Sequence, residues 1–305
     1  MAVFGTNDAK VLMPRNIADG MVKASKTLST VARLSPREPQ RFGTTDYITF
    51  NDIPKMEFVE EGADKASQGT SFGSVTAKPH KGQVTLRFNE EVQWLDEDYQ
   101  LGVLREVADA GQTALSRGLD LGLIHRINPL TGTVITGWDN YVTATTKRVV
   151  RSAGVDADAE VRAAVGLLVN DSKTVNGFAI DPKLLVGPRG PAGALGGQPT
   201  GTPRYPGLGF GTDITDFLGI PSAQGDTVSG TPEATDTRVR GIVGDFQNGI
   251  RWGVQRELPV EIIRYGDPDG QGDLKRKNQI ALRLEIVYGW YVFADRFAVI
   301  EEDDA

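Results

Sequence analysis

Two histidines, His80 and His125, and no cysteine are what 305 residues offer for imidazole and thiol chemistry. Without cysteine there is no thiolate nucleophile, disulfide, Cys-ligated zinc or iron–sulfur cluster, and two imidazoles cannot fill a three-histidine metal site. Neither histidine has ligand-like neighbours, so both read as surface or helix-end residues. The carboxylate pairs Glu60 with Glu61 and Asp96 with Asp98 could serve a hydrolase as acid and base. Adjacent carboxylates on a strand point to opposite faces, which places the first pair poorly, and nothing around the second singles it out. Two loops imitate sites. GLGFG at 207–211 lacks the preceding strand and following helix of a phosphate loop. DPDGQGD at 267–273 opens like a calcium loop, but position twelve is Asn278 where a bidentate Glu belongs, so it reads as a turn. No cofactor or metal is expected.

The elements that would position these residues follow from periodicity. Residues 1–45 carry few periodic apolar positions and read as an arm that takes its order from a partner. Strands are expected at 47–50 (YITF), 55–61 (KMEFVEE) and 83–92, where Val84, Leu86 and Phe88 alternate with polar residues. The last two flank 22 polar residues, 61–82, and imply a long two-stranded projection. From Asp96 to Arg126, apolar residues at three-and-four spacing predict a long helix, with acids in its first turn and His125 and Arg126 in its last. A second helix is expected at 156–168, a strand at 177–180, and a helical turn begun by Asp181 and Pro182. Nine Gly and five Pro in 187–211 imply an irregular loop, since three collagen-like triplets are too few for a triple helix. Strands return at 239–246, 249–255, 258–265 and 280–293. The fold class is α+β.

Lys plus Arg number 33 and Asp plus Glu 40, so the net charge is −7, with a pI near 5.1. A protein whose task is gripping phosphate backbones needs clustered cations, and this balance argues against one. No apolar run approaches the roughly 20 residues of a membrane span, and MAVFGTNDAK is not a signal peptide, so synthesis is expected to end in the cytoplasm. The 36 glycines imply many tight turns.

The order of these elements, closing with GDF at 244–246 and DLKRKNQIALRLEIVYGWYVFADRFAVI at 273–300, and containing FAIDPKLLVGP at 178–188, resembles the major capsid protein family of tailed double-stranded-DNA bacteriophages. The resemblance covers nearly the whole chain and rests on the order of the segments more than on any one motif. It implies the capsid fold shared with encapsulins: an N-terminal arm at 1–45, an extended loop hairpin with flanking strands at 46–94, a spine helix of the peripheral domain at 95–130, a mainly axial domain at 131–240, and closing strands shared by both domains at 241–305. It also implies self-assembly of pentamers and hexamers into an icosahedral shell around DNA. The resemblance implies a portal and decoration proteins as partners, and a separate scaffolding protein is expected because only about 45 residues precede the first strands, where some members carry a long scaffolding segment.

Some members of that family join subunits by an isopeptide bond between a loop Lys and an Asn of another subunit, with a Glu seven residues after the Asn as base. Read without gaps, Lys65 falls at the Lys, Asn278 at the Asn and Glu285 at the base. The amine must first lose its proton, since a Lys ammonium titrates near 10.4. Such a reaction is single-turnover and autocatalytic, not enzyme turnover. The plainer alternatives are a solvated Lys65, an Asn278 that satisfies backbone groups at a strand start, and a Glu285 paired with Arg283. Two rivals to the shell reading stay open: an encapsulin-like nanocompartment, which copurifying cargo would favour, and a carboxylate hydrolase, which a small uniform monomer would favour.

Overall fold

The computed structural model describes residues 29–50, 55–65, 67, 69, 72–91, 97–151, 156–186, 205, 214–257 and 261–303, with only the backbone for 50 and 97–108. In chain order come helix α1 (Thr30–Leu34), strands β1 (Thr45–Phe50) and β2 (Phe72–Asn89), the long helix α2 (Glu97–His125), and the short strands β3 (Ile127–Asn128), β4 (Thr133–Val134) and β5 (Arg148–Arg151). Then follow α3 (Ala157–Asn170), β6 (Gly177–Ile180), α4 (Pro182–Val186), β7 (Asp216–Phe217), β8 (Ile220–Gln224), β9 (Val239–Gly244), α5 (Phe246–Gly249), β10 (Ile250–Glu257), β11 (Glu261–Ile263), β12 (Gln279–Val292) and β13 (Phe297–Glu302).

Two sheets organise them. The first runs β1-β2-β12-β10, with β11 also on β12; the second runs β5-β13-β9-β6-β8-β7. The closing segment divides between the sheets, β10 to β12 entering the first and β9 and β13 the second. α2 packs on the first sheet through the even-numbered residues of β12. A Cβ on Gly111 would come within 2.9 Å of Leu284, and Tyr288 Oη donates to the Leu115 carbonyl at 3.2 Å. At 1.5 Å per residue, its 29 residues span about 44 Å. It ends where Arg126 takes a left-handed conformation, φ 54°. A second apolar cluster lies under the second sheet, where Val161, Ala164 and Leu168 of α3 meet Phe178, Ile180, Val243 and Ile300.

Two expectations change. Residues 55–60 form no strand: their apolar Met56 and Phe58 are 75% and 90% exposed, so the alternation has no surface of its own chain to bury against. The hairpin instead pairs β1 with residues 72–77 of β2, after which the same strand continues along β12 from Lys78 to Asn89. Its 18 residues reach nearly 60 Å by strand rise.

The arm is the second change. Residues from Ser29 onward belong to the chain's own core, with Val31 and Leu34 in the cluster that holds Leu119, Ile124 and Trp252. Their anchor is Asp120 of α2, fully buried. Its carboxylate accepts from Thr30 N, Thr30 Oγ1 and Thr227 Oγ1, each at 2.8 Å, from Val31 N at 3.2 Å and from Ser29 Oγ at 2.5 Å. Burial pushes this carboxyl up, against the pull of Ser29, Thr227 and Thr30. Beyond α1 the chain crosses the first sheet as a strap: Glu38 N donates to Trp252 O at 2.9 Å, Trp252 Nε1 to Ser35 O at 3.2 Å, and Gln255 Nε2 to Gly43 O at 2.8 Å. It passes over Gly253 and Gly289, which face each other across β10 and β12.

The irregular loop expected at 187–211 lies outside the described residues except Tyr205, whose ring meets Phe217 edge-on at 5.2 Å.

Candidate functional site

Glu285 sits on β12, opposite Gln83 of β2, with its side chain 17% exposed. It does not pair with Arg283, which donates instead to Pro268 O at 2.9 Å and Thr85 Oγ1 at 3.4 Å. Its cation is Lys81, at 2.9 Å. That partner is set by strand register, and no spacing along the sequence would have found it.

Asn278 immediately precedes β12, while Glu285 lies at its middle. Asn278 closes the 3₁₀ turn Lys275–Lys277 in a left-handed conformation, φ 50° and ψ 48°, which Asn tolerates better than most residues. Its backbone carbonyl accepts from Glu90 N at 2.8 Å. The carboxamide is exposed and makes no hydrogen bond to a described residue, so it does not serve the strand start as a cap. The turn before it is held by an unforeseen clamp. Arg87 donates Nε to Asp269 Oδ2 at 2.7 Å and Nη2 to Asp267 Oδ1 and the Gly272 carbonyl, both at 2.9 Å. DPDGQGD therefore spends two of its acids on a guanidinium, and the loop is a brace for the approach to Asn278. Among the described residues no cluster of His, Asp and Glu could hold a metal ion.

Lys65 lies exposed on the loop between β1 and β2, and no hydrogen bond or ion pair joins it to either of the other two residues of its own chain. Asn278 and Glu285 are also apart. Seven residues of extended strand separate them by about 23 Å, so one subunit cannot supply both to a single bond.

Glu60 and Glu61 are exposed on irregular backbone, whereas Asp96 lies outside the described residues and only the backbone of Asp98 is described.

The histidines are more deeply placed than expected. His125 ends α2 but is buried, its Nε2 2.8 Å from the Val228 carbonyl. His80 stacks on Trp290 with ring centroids 3.9 Å apart and lies 4.2 Å from Trp138. Burial pushes His125 down to about 4, opposed by its bonds to the Val228 and Thr227 carbonyls, and pushes His80 down to about 4 with Lys78 assisting and Asp139 opposing. An unfolded histidine takes up its proton near pH 6.5. The unfolded chain therefore binds protons between pH 6.5 and 4 while the folded imidazoles stay neutral, so this stabilisation is complete above 6.5 and drains as pH falls toward 4. Urea unfolding should show a loss of about 2–4 kcal/mol between pH 7 and 5, and His125→Gln should flatten roughly half of it. A stability unchanged over that interval would remove the two imidazoles as its cause.

The sequence matches no protein-family model and no curated protein. Solved structures do match. A chain from Mycobacterium phage Ogopogo is 42% identical, covering 90% of this chain and 92% of its own, with TM-score 0.77. One from Gordonia phage Cozz is 27% identical over 91% and 87%, also at 0.77. A capsid of an empty GTA particle shares the fold at 14% identity and TM-score 0.56, covering 90% of each chain. The chain belongs to the major capsid proteins of tailed bacteriophages. The capsid protein is thus a structural component of the virion that assembles in many copies into a shell. No described helix of it is long and apolar enough to cross a membrane.

Proposed function

We propose that this capsid protein builds an icosahedral head around packaged double-stranded DNA and that its copies are tied together by isopeptide bonds between Lys65 of one subunit and Asn278 of a second, with Glu285 of a third as base. The observation that carries the reading is the separation on β12: an exposed, uncommitted carboxamide at one end and a half-buried carboxylate about 23 Å away. Parts kept apart in each subunit meet only where subunits meet, which silences the reaction before assembly. In this reading α2 with the first sheet is the peripheral domain, the second sheet is mainly the axial domain of pentamers and hexamers, and the exposed apolar residues of 55–61 rest on a neighbour. A separate scaffolding protein, a portal and decoration proteins complete the partners, with assembly in the host bacterial cytoplasm. The net charge of −7 suits a wall that DNA slides along without sequence-specific binding.

Purified particles should give a ladder of multiples of the subunit mass on a denaturing gel, each link lighter by one ammonia. Lys65→Arg and Glu285→Gln should each reduce the ladder to a single band while particles still form. A single band from unaltered particles would end the cross-linking reading and leave the shell standing.

A further inference from the structure

The base that cross-linking requires is already engaged in the single subunit. Lys81 stands opposite Val287 and Glu285 opposite Gln83, which makes Lys81 and Glu285 diagonal neighbours across two antiparallel strands, on the sheet face turned away from α2. Lys81 Nζ lies 2.9 Å from Glu285 Oε1. The nearby cations of that face are committed elsewhere, Arg283 to Pro268 O and Thr85 Oγ1 and Arg87 to Asp267 and Asp269.

We propose that Lys81 is a latch on the cross-linking base, released when the loop of a neighbouring copy arrives. This rests on the reading of Glu285 as that base. In the reaction Glu285 takes a proton from the Lys65 ammonium of one neighbour. The freed amine then adds to Cγ of Asn278 of another, one Nζ–Cγ bond forming as the Cγ–Nδ2 bond breaks. A second proton of the attacking nitrogen passes to the departing one, which leaves as ammonia and takes up the proton held by Glu285 to become ammonium, so the new amide is neutral and the carboxylate is regenerated. While the Lys81 ammonium stands 2.9 Å from Oε1 it covers that oxygen, which is then closed to the incoming Lys65 ammonium. The loop that delivers Lys65 also carries Glu60, Glu61 and Asp64, all exposed, immediately before it. These anions are the alternative partners for the Lys81 ammonium, so nucleophile and unlatching charge arrive on one segment. Lys81 is a positioning residue that acts through Glu285, and it touches no reacting atom.

The test is ladder growth on denaturing gels, timed from assembly. Lys81→Met keeps the aliphatic stem and removes the charge; it should ladder about two- to fivefold faster, the range of a partly exposed ion pair, while Lys81→Arg should restore the slower rate. Neutralising the loop with Glu60→Gln, Glu61→Gln and Asp64→Asn should slow laddering when Lys81 is present and have no effect beside Lys81→Met. A Lys81→Met rate equal to or below the unaltered one, or equal slowing by the loop variant in both backgrounds, overturns the latch and leaves cross-linking in place. If Lys81→Met fails to assemble, the loop variant alone decides, and an unchanged ladder from it overturns the latch. No ladder from unaltered particles removes the base and the latch together.

Discussion

Asp120→Ala should unfold the subunit about 5–8 °C earlier than the unaltered chain, a loss of about 4 kcal/mol. The carboxylate receives five hydrogen bonds in a site with no solvent access. Burying a charge is itself costly, so the intact site contributes less than the sum of its bonds. Truncation is asymmetric: it removes the acceptor and leaves two amides and three hydroxyls desolvated together, and each unsatisfied donor costs about 1–3 kcal/mol before relaxation. Only Ser29 Oγ keeps another described contact there, accepting from Ala32 N at 3.0 Å. Calorimetry of unassembled subunits reads the effect directly. A shift under about 2 °C would mean that desolvation of the charge cancels the bonds, and that apolar packing of Val31 and Leu34 alone holds the segment.

Gly253→Ala should be nearly as damaging, while Gly289→Ala should be mild. The two glycines are partners in register, yet what a new methyl meets differs. At Gly253 it would stand 2.1 Å from the Glu38 carbonyl oxygen, which is backbone of the strap and is held by Glu38 N on Trp252 O and by the Arg251–Glu38 ion pair. At Gly289 it would stand 2.1 Å from Gln40 Oε1 and 2.3 Å from Gln255 Nε2, both ends of flexible side chains that can swing aside. Displacing backbone should cost about 2–4 kcal/mol, and moving two amide tips about 1 kcal/mol. Limited proteolysis should cut near residues 37–43 in the first variant and not in the second. Equal melting temperatures and equal cleavage would show that the strap lifts away at no cost.

What the residues disclosed in advance tracks the range of the interaction that decides each feature. The long helix and the strands expected at 177–180, 239–246 and 280–293 are read from local period, and their boundaries in the structure lie within a few residues of expectation. The segment 55–61 has a strand's alternation but lacks a ladder partner in its own chain, so period alone misleads. Asp120 reads as one polar position on an amphipathic helix. Its partners are about 90 residues before it and 107 after, and only the folded chain brings them there. Lys65, Asn278 and Glu285 were reachable by resemblance, whereas Lys81 and the Arg87 clamp depend on the pairing of β2 with β12 and leave no linear trace.

The Asp120 anchor also fixes a path for mechanical load. A tug on the chain upstream of Ser29 is received by α1, passes through the carboxylate into α2 five residues, or about 8 Å, from that helix's C-terminal end, and continues through Thr227 into the segment beside the second sheet. The force is thus divided between the two sheets before it reaches the hairpin. Tension from a neighbouring subunit would move the body of the molecule as a unit, with the anchor as its rivet.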